Sequence, residues 1–373
     1  QRGLCEQLSG IRVVDLSLFL PGPMMTSMLA DHGAEIIKIE PPGGDPARQM
    51  EPFEEGQSVW FRNINRGKQS VVLDLKQKDN LQKLYRLVEE SDIFVEAFRP
   101  GVANRLAIDY ETLSAINPRI IYCSISAFGQ DGPLAHHPAH DLAVEAFAGF
   151  MSVNDKGDGE PMVPAFPAAD ASASLVALSG ILMALIGRER TGIGDYLDIA
   201  MYDSLLPWCG HFAGPSLAHG EAVHSATQRS LGGSAFYNVY KTKDDRHIVL
   251  GGRESKFVKN LLKALKREDL IDLCLGPPGP SQNPAKIFLQ ETFVTRSRNE
   301  WVNWFKDKDV CFAPVLDFVE GFSEPQLIFR QMLIEGPKGQ KFFGSPIKFK
   351  NEPGSVSTIA PELDEHGSLT NSL

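Results

Sequence analysis

The sequence is short of cysteine. Five stand in 373 residues, at positions 5, 123, 209, 274 and 311. They form no CxxC pair, and an odd, scattered set does not build a disulfide framework. A reducing compartment is expected. Positive charge is short too: Lys+Arg 37 against Asp+Glu 47 leaves a net charge of −10 and a pI near 5.5. That balance argues against nonspecific nucleic-acid binding, which runs on phosphate neutralisation. No window approaches about 18 consecutive apolar residues, so no membrane span is expected. The most apolar stretch, Leu175 to Ile186, is expected as a buried helix. Several motifs are missing as well. There is no GxGxxG after the first strand pattern, no GxxxxGK[ST] and no HExxH. GxSxG is absent, and no Ser/His/Asp constellation is legible. "PGP" at Pro21–Pro23 and "GPPGP" at Gly276–Pro280 are proline turns rather than phosphate loops. The chain opens without a charged-then-apolar leader, and its Asn-Ser-Leu ending only loosely resembles a Ser-Lys-Leu tail. A cytoplasmic location is expected, with mitochondrial or peroxisomal ones left open.

What is present is a large apolar fraction, 43% of residues, enough for a sizeable core and two domains. "GIRVVDLS" (Gly10 to Ser17) is a β-branched run closed by a polar turn, the pattern of a buried strand. "PGPMMTSMLADHG" follows as a helix opened by proline and closed by Gly33. "AEIIKIE" is a second strand, completing a βαβ unit. The alternation continues through "QSVVLDL", "NLQKLYRLVEES", "DIFVEAF", "YETLSAIN" and "RIIYCSIS". It predicts an α/β fold with a parallel sheet covered on both faces. Such sheets bind ligands outside the carboxyl ends of their strands. The loops of interest are therefore Leu18–Pro23, Phe98–Val102 and the segment from Ser126 onward.

Ala171 to Arg188 is expected as a long apolar helix, followed by a turn, a strand and another helix in "RTGIGDYLDIAMYDSLLPW". Glu221 to Gly233 has the composition of a linker. "AFYNVYKTKDDRHIVLGG" predicts a hairpin, and helical stretches follow around 256–270 and 300–306. This gives a small α+β domain over 225–315, with the large domain made from 1–224 and 316–373. Pro346 to Phe349 is a candidate strand of the returning tail.

"HHPAHD" places three histidines and an aspartate within six residues, from His136 to Asp141. No cysteine is near, and an adjacent histidine pair does not easily converge on one metal. No metal site is expected, and His136 and His137 are expected as solvated loop residues.

An ordered set of segments resembles one superfamily, the class III CoA-transferases (formyl-CoA transferase and carnitine CoA-transferase type) and the α-methylacyl-CoA racemases. The segments include "LSGIRVVDLS", "PGPMMTSMLADHGAEIIKIEPPGGD", "NRGKQSVVLDLK", "FRPGV", "IYCSISAFGQDGP", "AHDLAVEAFAG", "RTGIGDYLDIAMYD" and "CFAPVLDF". The resemblance implies a Rossmann-like large domain, an acyl-CoA substrate with no cofactor beyond its coenzyme A, and an interlocked homodimer. In that arrangement the active site lies between the large domain of one subunit and the small domain of the other.

The resemblance also assigns roles. Asp170 of "FPAADASAS" stands at the shared aspartate, which is a nucleophile on the thioester in transferases and a base at the carbon α to it in racemases. Without that context Asp170 is a helix-start carboxylate. His140 stands at the racemase histidine of a "GHD" motif, here "AHD", where transferases more often have tyrosine. A bare loop histidine is the ordinary alternative. A histidine is the natural side chain for taking and returning a proton. Glu254 of "LGGRESKF" stands at the supporting glutamate of "GAIEPQF", with Arg253 replacing an apolar residue; otherwise it is a first-turn carboxylate. Arg99 of "FRPGV" is the implied phosphate contact, with Lys38 and Arg66 as further cations. Gly232 and Gly233 are a candidate flap. The joint presence of Asp170, His140 and Glu254 leads to the expectation of a 2-methylacyl-CoA racemase or epimerase. The alternative is a CoA-transferase working through an Asp170 anhydride, and a non-catalytic acyl-CoA binder ranks last.

Overall fold

The structure, a computed structural model, describes residues 6–371. Six strands form one sheet: β1 (Arg12–Asp15), β2 (Glu35–Glu40), β3 (Gln69–Val72), β4 (Ile93–Glu96), β5 (Ile121–Ser126) and β6 (Tyr196–Ala200). All pairs are parallel and the order is β3-β2-β1-β4-β5-β6. This is the doubly wound order whose direction reverses between β1 and β4. Val14 sets the register, opposite Ile37 on one side and Phe94 on the other. Both faces are covered, so Val13, Val14, Ile93, Phe94 and Val95 are fully buried. That burial explains why these strands are continuous apolar runs rather than alternating ones.

The helices that follow these strands include α1 (Pro21–Ala30), α2 (Lys78–Glu89), α3 (Asp141–Phe147) and α4 (Ala168–Thr191). Helix α1 opens with prolines at its first turn, where a missing N–H costs nothing. Helix α2 buries Leu84, Leu87 and Val88 and leaves its charged residues outside. The 24-residue α4 is long and apolar enough to span a membrane by length and composition, although only 39% of that window is buried. Its composition predicts a buried helix, and it is buried on one face only. Ala173, Ala177 and Ile181 are buried, while Leu175, Val176, Met183 and Ile186 are exposed. Its far end is tied to the sheet by Arg188, whose Nη2 lies 2.8 Å from Asp92 Oδ1.

The chain divides into two compact units. The first runs to Val144 and adds Pro167–Leu205 and the segment from Phe322 onward; the second is Glu145–Phe166 with Leu206–Gly321. Relative to the division at 225 and 315, the second unit adds 145–166, 206–224 and 316–321. Within it, β7 (Tyr237–Lys241), β8 (His247–Gly251) and β9 (Phe312–Pro314) form an antiparallel sheet in the order β9-β8-β7. Helices α5 (Ser255–Ala264), α6 (Asn283–Phe293) and α7 (Arg298–Phe305) share with it a core of Phe236, Tyr240, Leu250, Leu262, Phe293 and Trp301. A Ser297–Glu300 capping box starts α7. The supposed linker over 221–233 is wound into short turns. The candidate strand over 346–349 does not form; Lys341–Phe343 pairs with Leu333–Glu335 just before it. Instead the tail seals the β3 edge, with Asp364 Oδ1 accepting from Val72 N and His366 Nδ1 from Ser70 N.

Candidate active site

Helix α4 starts on the side of the sheet where the strands end. Asp170 lies in its first turn. Asp141, the first residue of α3, reaches across, and its Oδ1 accepts from Ala169 N at 2.8 Å and Asp170 N at 3.0 Å. The capping carboxylate of α4 therefore comes from a residue 28 positions earlier. Asp141 accepts the Ala169 and Asp170 N–H groups at the helix start, so its carboxylate rather than that of Asp170 serves as the cap. Burial pushes the Asp170 carboxyl up to about 7, and the neighbouring Asp141 charge adds to the rise. A carboxylate so placed is poised near neutrality, as a nucleophile or a proton acceptor requires.

His140 is exposed, and its carbonyl accepts from Ala143 N and Val144 N to begin α3. Among the described residues its ring makes no hydrogen bond. Its chain neighbour Asp141, not the His140 ring, makes the contact with the head of α4. Of the other two histidines, His136 is exposed and the His137 ring stands edge-on to Phe128 at 5.9 Å between centroids.

Arg99 is exposed in the loop after β4, at the reversal point of the sheet. The preceding Glu96 ends β4 and is buried; its Oε2 accepts from Phe98 N at 2.8 Å and its Oε1 from Ser124 Oγ. Burial raises its pKa. Beside it, at the carboxyl ends of β1 to β4, a cavity of about 160 Å³ is lined by Leu16, Pro41, Pro42, Leu73, Lys76 and Phe98 among others. Sequence reasoning misses Lys76, because a lysine after a strand has no signature of its own.

The structure gives Lys38 and Arg66 other work. Lys38 is fully buried, donates to Ser17 O at 2.8 Å and faces Asp45 Oδ2 at 2.9 Å. Arg66 is 4% exposed, paired with Asp31 at 3.0 Å and bonded to Phe343 O at 2.9 Å. Their charges are spent internally, so neither reaches out to a phosphate in this structure.

In the second unit, Glu254 is exposed at the start of α5, where its carbonyl accepts from Phe257 N and Val258 N. Its carboxylate folds over Gly252, where an added Cβ would meet Oε2 at 2.8 Å. Arg253 is not turned to a ligand. Its Nη2 donates to Leu275 O at 3.0 Å and Gly276 O at 2.7 Å, closing the helix Ile271–Leu275. The Gly232–Gly233 pair is held rather than flap-like: Asn238 Nδ2 donates to Gly232 O, Gly279 N to Gly233 O, and Gly233 N to Gln228 O.

The sequence profile of CoA-transferase family III matches residues 8–367. The chain belongs to CoA-transferase family III. Its relatives include the succinate–glutarate CoA-transferase of Agrobacterium fabrum, 40% identical over 96% of this chain and 93% of that one. The human α-methylacyl-CoA racemase is 34% identical over 84% of this chain and 78% of its own length. Among solved structures, a CaiB/BaiF family protein from Brucella suis superposes with a TM-score of 0.86 at 30% identity, covering 98% of this chain and 99% of that one. Membership in family III covers both transfer and racemisation. The relatives do not favour racemisation, since the transferase match is both more identical and longer.

Proposed function

We propose that this family III protein is a CoA-transferase that moves coenzyme A between two carboxylic acids through Asp170. The observation that carries the reading is the Asp170 carboxyl, raised to about 7 by burial and by Asp141 at the head of α4. Raised basicity makes the ionised carboxylate a better nucleophile, and at neutral pH much of it is ionised. The carboxylate oxygen attacks the thioester carbon, the C–S bond breaks and CoA leaves as its thiolate. The thiolate then attacks the Asp170 carbonyl of the mixed anhydride, releasing the first carboxylate and leaving an aspartyl-CoA thioester. The acceptor carboxylate repeats both steps in reverse, which regenerates Asp170. No cofactor besides the substrate's CoA enters this scheme.

For CoA itself, the crevice beside the sheet reversal supports a nucleotide end in the cavity bounded by Pro42 and Phe98, with Arg99 and Lys76 at its phosphates. The name of the Agrobacterium relative makes short dicarboxylates the first acceptors to try. The exposed apolar residues Leu175, Val176, Met183 and Ile186 of α4 support the homodimer that the resemblance implies.

The test uses succinyl-CoA with glutarate, and the acyl-CoA products are read by mass spectrometry. Borohydride trapping follows, with peptide mapping at Asp170. Transfer with a reduced Asp170 supports the reading. The racemase alternative, carried by His140 and the human relative, predicts something else. In heavy water, (2R)- and (2S)-2-methylacyl-CoA would gain one deuterium and converge, with no adduct at Asp170. That result would overturn the transferase.

A further inference from the structure

We infer that four buried charges, Asp15, Lys38, Asp45 and Lys68, together with Ser174 of α4, are positioning residues. They hold the Ser17–Pro23 backbone against the Asp170 helix. The inference rests on Asp170 being the reacting group of the proposed transfer.

The side chains of Asp15, Lys38, Asp45 and Lys68 are all 0% exposed. Unmatched charges in such a place are heavily disfavoured, and even matched ones add little to stability over apolar residues of the same volume. What polar groups add is directional bonding. Here the bonds converge on one short segment. Asp15 ends β1, and its Oδ1 accepts from Ser17 N at 2.8 Å and from Ser17 Oγ. Lys38 Nζ donates to Ser17 O at 2.8 Å. Asp45 Oδ1 accepts from Phe19 N at 3.4 Å. Lys68 Nζ donates to Pro23 O at 2.9 Å and to Asn65 Oδ1 at 3.0 Å. Two ion pairs lock the set: Lys38 to Asp45 at 2.9 Å, as a charge contact rather than an aligned hydrogen bond, and Lys68 to Asp15 at 3.5 Å.

The segment itself is held in an uncommon shape. Phe19 has φ 60°, a region that non-glycine residues seldom enter. Gly22 sits so close to Ser17 that an added Cβ would lie 2.2 Å from the Ser17 Cβ. The last link runs to the reacting helix. Ser174 Oγ donates to Pro21 O at 2.6 Å. Ser174 lies four residues beyond Asp170, on the same face of α4. The backbone that bounds the crevice at β1 is thus fixed from below by the charges and from the side by the helix carrying Asp170.

Two variants test this: Ser174→Ala, and the paired Lys38→Met with Asp45→Asn, which removes both charges together. Each is compared with wild type by circular dichroism, by hydrogen exchange of the amides in 17–24, and by steady-state transfer kinetics. Both variants should fold. The amides should exchange about tenfold faster, and kcat should fall about tenfold while KM for the acyl-CoA changes less than about twofold, since a misplacement near 1 Å is felt mainly in chemistry. Unchanged exchange in a folded variant would overturn the tethering. Faster exchange with unchanged kcat would overturn the positioning role. If the double variant does not fold, Ser174→Ala decides alone. If wild type transfers no CoA, it is the functional reading that has failed, and the exchange arm still decides whether these residues hold the segment.

Discussion

Ionised Asp170 should cost the fold stability, and Asp170→Asn should recover it in a pH-dependent way. The carboxyl is held at about 7 against an ordinary 3.8, first by burial and then by Asp141. Its folded pKa is raised, so the group favours folding below 3.8 relative to conditions above 7. Between those values the folded state keeps a proton that the unfolded chain has lost. As pH rises through 7 that advantage is gone and the ionised group stays buried at a cost. About 3 units at 1.36 kcal/mol each give at most about 4 kcal/mol at pH 8 and about 1.5 kcal/mol at pH 5. An asparagine has nearly the same shape and no charge. The Asn variant should therefore be more stable than wild type at pH 8, by clearly more than at pH 5. Paired denaturant titrations followed by circular dichroism at the two pH values measure the difference. A stabilisation equal at both pH values, or a variant less stable at pH 8, would refute the argument that an unmatched carboxylate sits at the head of α4.

Asp141→Asn keeps an oxygen for the Ala169 and Asp170 N–H groups but removes the second cause of the Asp170 shift. The rise of kcat/KM with pH should then begin at lower pH, and an unmoved acid limb would show that burial alone sets it. Arg99→Ala should raise KM for acyl-CoA about tenfold, the size of a lost charge-assisted bond, with kcat little changed. The difference from wild type should shrink in salt. Arg253→Ala strips the partners from the Leu275 and Gly276 carbonyls. It should cost about 1–3 kcal/mol of stability in unfolding titrations and leave kcat/KM unaltered; a changed acyl preference instead would return Arg253 to the substrate.

The fold is legible because its strands are buried on both faces. Runs such as "RVVD" and "IFVE" need no tertiary information to be recognised, and helix α2 between such runs buries one apolar stripe. Where a segment's partner is distant, the sequence misleads. Residues 346–349 look like a strand by composition, yet a strand needs an edge, and it is the later tail segment, with Asp364 and His366, that bonds β3. The family resemblance alone offers Lys38 and Arg66 as phosphate contacts. In the fold each meets a buried carboxylate, from Asp45 and Asp31, that no local pattern announces.

The same distinction explains the active site. "FPAADASAS" shows an acid at the head of an apolar helix, and by the ordinary rule such an acid is that helix's cap, stabilised and lowered in pKa by the N–H groups it accepts. The structure separates the two functions. Asp141, from the start of another helix, takes the cap bonds of α4, and Asp170 is left half-buried beside that negative charge. One carboxylate is made structural so that its neighbour is made basic. The division depends on a contact across 28 residues, so the residues alone show both acids but not which one caps the helix. It also gives the motif "AHD" a meaning independent of its histidine. If the chain is a transferase, the aspartate of that motif is the member that acts on the chemistry, by setting the pKa of Asp170, and His140→Ala should lower transfer far less than Asp141→Ala. A His140→Ala variant as inactive as Asp141→Ala would reverse that order and restore the histidine to the centre of the mechanism.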